Sequence, residues 1–246
     1  MNRPIRTAPA HGRQSGRARQ VGATMVEFAI VSPLALLMVL AIIQLGLMFS
    51  AKEVVNEAAF LAARAGSVAN AQSSAMQPVL QKALIPFYQN TSIPTDYLRL
   101  QDALNSANND AAFMSLQIVN PAPAAFTDFG TTSSASNGHT YIPNDNLEYR
   151  PHTNGGSSKL SIQDANALKI KVVYGYKLKV PLMALVVNAV MCGFDTGNDD
   201  FGRKQVVTGE NDASDCTTYY SQGRIPIVSY ATVQMQTPAY QDDSGG

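Results

Sequence analysis

Glu27 is the ionisable residue of this sequence whose position most clearly requires a chemical partner. It directly precedes residues 28–51, a run of 24 positions without a single Asp, Glu, Lys, Arg or His. A carboxylate at the centre of a bilayer costs about 2.5–3.5 kcal/mol on insertion scales, and less near the membrane surface. Hydrolysis of the peptide bond between Gly22 and Ala23 would release an amine about 6 Å along a helix from Glu27. That amine, from the same chain or from a neighbouring subunit, would neutralise the acid.

The run that follows Glu27 is long enough to cross a membrane. As a helix its 24 residues reach about 36 Å, against a hydrocarbon thickness of about 30 Å. Residues 1–22 carry five arginines and no acidic residue. The rest of the chain contains the other 13 of the 18 basic residues and all 18 acidic residues. Because positive residues beside a first membrane helix stay inside, we predict a cytoplasmic N-terminus and an exported C-terminal part. A nucleic-acid or anionic-lipid arm is the alternative, but no aromatic residue lies among the arginines.

The residues around Glu27 form a pattern that extends along the helix. It consists of Gly22-Ala23-Thr24-Met25-Val26-Glu27-Phe28-Ala29, followed by Pro33, Gly46, Asn56, Ala59, Ala63 and Arg64. The first part resembles the processing motif of type IV prepilins. The whole set, over about residues 20–65, is similar to the signature of the TadE-like family of tight-adherence (Flp-type) pilus systems. Gln44 and Leu47 depart from it, since members often carry an acid and a base there, so helix contacts based on those charges do not carry over.

The resemblance implies how the N-terminal segment is processed and used. A membrane-embedded prepilin peptidase would remove the basic leader 1–22 by cutting between Gly22 and Ala23. Glu27, followed by Phe28, would then help to place each subunit in an assembly. The implied role is that of a minor pseudopilin in the bacterial inner membrane. Its implied partners are the peptidase, other pilins and pseudopilins, and the inner-membrane assembly platform.

Other interpretations of the N-terminal segment stay open. The helix is alternatively an uncut signal anchor in which Glu27 is incidental. A secretory signal peptide cut after residue 65 is a further option, but its apolar region would normally span about 7–15 residues with the cut close behind. For function, the rival is a membrane-anchored periplasmic binding or scaffold domain that never enters a filament. The N-terminal residue of the protein in membranes distinguishes the two functions.

The predicted fold class is α+β and type IV pilin-like, with a membrane helix over residues 23–51 that continues as a stem to about residue 65. A periplasmic domain would then occupy residues 52–246. Residues 168–180 and 225–235 alternate between apolar and polar positions, which predicts an antiparallel sheet with one core face and one solvated, lysine-bearing face. The core face would pack on one side of the stem, formed by Val54, Val55, Ala58, Leu61, Ala62 and Ala65.

Shorter elements are predicted around this sheet. Ser73 and Ser74 suit the cap of a helix that runs to about residue 84, a second helix would start at Thr95, and residues 113–119 suit a strand. Residues 121–166, rich in Pro, Ala, Ser, Thr, Asn and Gly, suit a long flexible surface insertion. Residues 183–191 are too short an apolar run to cross a membrane, so we expect a buried helix or a surface that meets a partner subunit.

The remaining polar residues favour a structural role over catalysis. Cys192 and Cys216 both lie in the predicted exported part, which permits one intramolecular disulfide. The acids between them do not match the EF-hand spacing, so we expect a solvated acidic loop, with a calcium site as the alternative. The histidines lie at no metal-ligand spacing. We also find no nucleophile, phosphate-loop or zinc-protease motif. The sequence therefore predicts a protein that is not an enzyme, with no cofactor, no metal and no nucleic-acid partner.

Overall fold

The computed structural model describes residues 23–132, 138–192, 216 and 218–241. The predicted leader with Gly22, and the acidic residues between the two cysteines, lie outside the described residues. The chain divides into two compact units, residues 1–41 and residues 42–246.

A long N-terminal helix, α1, runs over Ala23–Val68 and confirms the predicted apolar helix. It extends three residues beyond the expected end at residue 65 because Gly66 lies inside it. A Cβ atom at Gly66 would be 2.8 Å from Leu168 Cδ2 and closer still to the sulfur of Met76, so any larger residue would require these side chains to shift. The chain leaves the helix through Asn70 and Ala71, both in left-handed conformation with φ values of 57° and 60°.

The central sheet is antiparallel, as the alternation predicted. Its strands are β1 (Met114–Asn120), β4 (Ala167–Lys177) and β5 (Arg224–Gln234), in the order β1-β4-β5. Ile170 pairs with Ala231 and Val172 with Ser229. The even-numbered apolar residues of β4 share one core with the stem half of α1, which confirms an α+β arrangement of sheet against helix.

The second face of β4 differs from the prediction. Lys169 is exposed, as expected, but Val173 and Gly175 are buried. A Cβ atom at Gly175 would be 2.8 Å from the ring of Tyr219 and 3.0 Å from Phe113 Cβ, so these aromatic residues cover the C-terminal half of the strand. The lysine-bearing face is therefore solvated over only half of its length.

Two helices lie between α1 and the sheet in sequence. Helix α2 occupies Ser73–Ala83 and buries Met76 and Leu80 in the core, and α3 occupies Asp96–Asn109. Turns of 3-10 helix at Ile85–Tyr88 and Ala111–Phe113 follow them. The predicted cap was wrong in one respect: Gln72 precedes the helix, so Ser73 and Ser74 lie within its first turn.

Residues 121–166 are not the long surface loop that their composition suggested. Their described part contains α4 (Pro123–Phe129), β2 (Thr131–Thr132), β3 (Thr140–Ile142), a 3-10 turn (Leu147–Tyr149) and α5 (Ile162–Ala165). Strand β6 (Ala239–Tyr240) completes a second sheet, whose strand order is β2-β3-β6. The segment also places five apolar side chains in the core, namely Ala125, Phe126, Ile142, Ile162 and Ala165. A few widely spaced apolar residues therefore pack this segment against the core.

Helix α6 occupies Met183–Met191, as predicted for this apolar run. Its burial was predicted wrongly. Met183 is buried, whereas Leu185 is 70% exposed and Val190 is 47% exposed. The remaining expectation for this segment, a surface that meets a partner, is consistent with this exposure.

Candidate membrane and assembly segment

The first half of α1 presents large apolar side chains on every face. The exposed residues before position 42 include Met25, Val26, Phe28, Ile30, Val31, Leu34, Leu36, Met38 and Val39. In water this surface would be strongly unfavourable, and a helix that is apolar all round is typical of a membrane span. The helix is long and apolar enough to cross a membrane, with a mean hydropathy of 2.5 over its most apolar window. One helix of this kind is consistent with a single-pass membrane protein.

Glu27 and Phe28 are both exposed near the start of this surface. Ala23, one side of the predicted cleavage site, begins the helix, whereas Gly22 on the other side lies outside the described residues. Within the described part of the chain no basic group forms an ion pair with Glu27. The predicted cleavage and pairing stay predictions, and the carboxylate is placed where a neighbouring group could reach it.

The second half of α1 is apolar in a different way. Its buried residues are small: Ala51, Val55, Ala58, Ala59, Ala62 and Ala63. The expected face was correct for Val55, Ala58 and Ala62, but Val54, Leu61 and Ala65 are only partly buried. Ala59 and Ala63 were not included in that face. Small side chains allow the sheet to approach the helix backbone closely, which explains the alanines at these positions.

Polar contacts fix strand β5 alongside the stem. The ammonium group of Lys52 donates a hydrogen bond to the carbonyl of Val228. Farther along, Ser229 Oγ donates to Asn56 Oδ1 at 2.8 Å. At the end of the helix, the amide of Gln236 donates to the carbonyl of Ser67 at 2.9 Å. Helix and strand therefore run in the same direction, and the start of β5 lies beside the first turns of the stem.

Gln44 is the buried polar residue of the charge-free run. It is only 4% exposed, and its Oε1 accepts a hydrogen bond from the amide of Val180 at 3.1 Å. The amide donor of Val180 assigns the oxygen of the Gln44 side chain, so the orientation of this side-chain amide is determined. Its nitrogen, Nε2, has no partner in the described structure. The departure from the family pattern at this position therefore corresponds to a contact within the chain.

Cys192 and Cys216 form a disulfide, as predicted, with their Cα atoms 5.9 Å apart. Cys192 directly follows α6, and Cys216 lies shortly before the 3-10 turn Tyr220–Gln222 that leads into β5. The bond therefore ties the end of α6 to the start of β5. The acidic residues between the cysteines lie outside the described residues.

A polar recess of about 520 Å³ was not found from the sequence. Among its lining residues, Arg224 Nη2 pairs with Asp110 Oδ1 at 2.8 Å. The guanidinium carbon of Arg224 also lies 3.9 Å from the ring centre of Phe113. Tyr174 donates to the hydroxyl of Tyr88 at 3.1 Å, and burial raises the pKa of both tyrosines. The ion pair joins residues 114 positions apart, so no local pattern indicates it.

No group of three or more His, Cys, Asp or Glu side chains suited to a metal occurs among the described residues. His139 lies parallel to the ring of Tyr240, with ring centres 5.7 Å apart. His152 is exposed.

Comparison with known proteins gives a match for the N-terminal segment alone. No curated protein and no solved structure matches the chain. A family model described as TadE-like protein matches residues 22–64. These residues contain Ala23, Glu27 and Phe28, together with Asn56, Ala59 and Ala63 of the stem. The match agrees with the family predicted from the sequence, and residues 22–64 are similar to TadE-like proteins.

Proposed function

We propose that the chain is a minor pseudopilin of a tight-adherence pilus machine, trimmed by a prepilin peptidase between Gly22 and Ala23. The observation that carries the proposal is the position of Glu27. It lies within the TadE-like segment on an otherwise apolar, exposed helix, without an ion-pair partner in the described residues. A new amine at Ala23 supplies the opposite charge that such an acid requires. The protein acts in this proposal by assembly and not as an enzyme, and it needs no cofactor.

The two halves of α1 have different tasks in this proposal. The apolar first half lies in the inner membrane and packs beside the stems of other pilins and pseudopilins on the assembly platform. Packing, rather than the hydrophobic effect, drives such contacts in lipid. The five arginines of residues 1–22 hold the N-terminus in the cytoplasm. The outer domain is then periplasmic, where the disulfide between Cys192 and Cys216 persists.

A membrane-anchored periplasmic binding domain is the second candidate. It is favoured by the polar recess, whose wall includes Arg224, Asp110 and three tyrosines. Such a domain would keep residues 1–22 and would not enter a filament.

Processing tests the two candidates directly. Co-expression with a prepilin peptidase should shorten the wild-type chain by the 22 residues of the leader, and Gly22→Val should prevent it because the bulky side chain blocks the cut. Intact mass of the protein purified from membranes measures both. Gly16→Val is the matched control, since it makes the same change inside the leader and should leave cleavage unaffected. An intact Met1 or Asn2 on the wild-type protein in the presence of the peptidase would refute the proposal.

A further inference from the structure

Helix α6 and its flanks form an apolar surface that the described residues leave uncovered. From residue 181 to residue 191 there is no charged side chain. Leu182, Leu185, Val190 and Met191 are exposed by 57%, 70%, 47% and 40%. In water, exposed leucines and valines in one short helix are unfavourable, so this surface has an occupant of its own.

The position of α6 relative to the stem indicates that occupant. Val180, three residues before the helix, donates its amide hydrogen to Gln44. Gln44 lies seven residues before Ala51, where the charge-free run ends. At about 1.5 Å per residue, α6 is therefore attached to α1 about 10 Å inside the apolar run.

The length of the charge-free run also indicates that the membrane surface lies near Gln44. The outer unit already buries Gln44 and Ala51, so residues 28–43 are the charge-free positions before its first buried side chain. These 16 residues reach about 24 Å as a helix, which is short of the roughly 30 Å hydrocarbon core. An apolar length shorter than the hydrocarbon core is unfavourable in a bilayer. Apolar surface on the adjoining edge of the outer unit makes up the difference.

Neighbouring side chains suit a headgroup region. Lys177 and Lys179 are exposed directly before α6, where their ammonium groups would meet lipid phosphates. An apolar groove of about 360 Å³ lies between Leu45, Met48 and Phe49 of α1 and the start of β5. Phe49 is 73% exposed, and aromatic rings of this kind are frequent at membrane surfaces.

We propose that α6 is an interfacial helix, with Leu182, Leu185, Val190 and Met191 inserted among the lipid headgroups and upper acyl chains. The outer domain is then seated in the bilayer surface by two elements, α1 through it and α6 along it. The inference rests on the membrane-spanning helix of the proposed function, but not on cleavage or pilus assembly. A protein partner would not explain the level of the patch within the apolar run.

The chain contains no tryptophan, so single-Trp variants of the full-length protein each report on one position. Leu185→Trp probes α6, and Ile30→Trp probes the spanning segment. Tyr149→Trp is the matched exposed control. Tyr149 lies near the opposite end of the sheet, because the carbonyl of Leu147 in its turn accepts a hydrogen bond from Gln163, just before β4. The variants are reconstituted in phosphatidylcholine vesicles with bromine placed near the headgroup or near the acyl-chain end.

We expect lipids brominated near the headgroup to quench the fluorescence of Leu185→Trp several-fold more than that of Tyr149→Trp. For Leu185→Trp, these lipids should also quench more strongly than lipids brominated near the chain end. Interfacial helices insert about 5–10 Å below the headgroups, which is the depth that the shallow bromine reports. Quenching of Ile30→Trp without quenching of Leu185→Trp overturns the proposal while leaving the spanning helix intact. If Leu185→Trp becomes less accessible to aqueous iodide as the protein-to-lipid ratio rises, the proposal is overturned in favour of a protein partner. Absence of quenching at Ile30→Trp removes the premise, and with it the proposed function.

Discussion

The two halves of α1 are both apolar, but they differ in the size of their side chains. Residues 25–39 expose methionine, isoleucine, leucine and phenylalanine, whereas the stem buries alanines such as Ala58, Ala59 and Ala62. Large side chains fill the loosely packed space between lipids, and small ones let a sheet approach the helix backbone. Side-chain volume, rather than hydropathy, therefore separates the exposed half of the helix from the half that packs against the domain.

Polar groups follow the same division. In the stem, Lys52 and Asn56 each bond to a residue of β5. Glu27, in the first half, has no ion-pair partner in the part of the chain that the structure describes. The polar groups of Lys52 and Asn56 are therefore satisfied within the chain, whereas the carboxylate of Glu27 is exposed.

The largest expected effect concerns Glu27. Glu27→Val should still insert in the membrane, because it removes an unfavourable charge, but it should abolish or strongly impair pilus formation and cross-linking between pseudopilins. Membrane fractionation and site-specific cross-linking measure these two outcomes. Glu53→Val is the matched control, since Glu53 is exposed on the stem half and its loss should leave both unchanged. Normal pili in the Glu27 variant would show that the carboxylate is incidental.

A smaller effect is expected when the disulfide is removed from the outer half. Replacing Cys192 and Cys216 by serine opens a loop with a sequence separation of 24, which should lower the free energy of unfolding by about 3 kcal/mol in the chain-entropy model. Thermal unfolding of the detergent-solubilised chain measures the change, and reduction of the wild type should reproduce it. Membrane extraction should not change, because the spanning half is independent of this bond. An unaltered melting temperature would indicate that the loop is fixed by other contacts.

Side-chain volume is tested by the same substitution in both halves of α1. Ala59→Leu forces three extra carbon atoms against the sheet and should destabilise the outer domain by about 1–3 kcal/mol. Ala35→Leu adds the same atoms to an exposed position of the first half and should leave the melting temperature of the outer domain unchanged. Equal effects of the two substitutions would contradict the division of the helix by volume.

Periodic patterns predicted much of this fold. The charge-free run predicted α1, and alternation predicted β4 and β5, because each pattern repeats over more than ten residues. At the candidate site, the types and spacing of the residues around Glu27 were enough to indicate the TadE-like family. The disulfide followed from there being two cysteines in one predicted compartment.

Features that depend on single distant contacts could not be predicted. The partner of Arg224 is Asp110, 114 residues away, and neither residue lies in a pattern that refers to the other. The burial of α6 was misjudged because an apolar run is compatible with a protein core and with a lipid surface alike. In residues 121–166 the polar composition hid a fold that contains a few buried side chains and carboxylate contacts such as those of Asp128.

The smallest expected effect tests whether this polar segment belongs to the ordered outer half. Asp128 accepts hydrogen bonds from the amides of Ser157 and Ser158 and from the hydroxyl of Ser158, at 2.6–3.0 Å. These bonds, first of all that from the Ser158 amide, lower the pKa of Asp128 to about 2. In the unfolded chain the pKa of an aspartate is about 3.9.

Because its pKa is lower in the folded state, the Asp128 carboxylate stabilises the fold above about pH 4, and this contribution is lost as the pH falls towards 2. Asp128→Asn should therefore flatten the decline of stability between pH 4 and pH 2, as measured by urea unfolding at each pH. Ser158→Ala removes one hydroxyl donor but keeps the backbone amide, so its profile should lie between those of the wild type and Asp128→Asn. If all three profiles coincide, Asp128 does not hold residues 155–158 in solution, and the segment behaves as the flexible loop that its composition predicts.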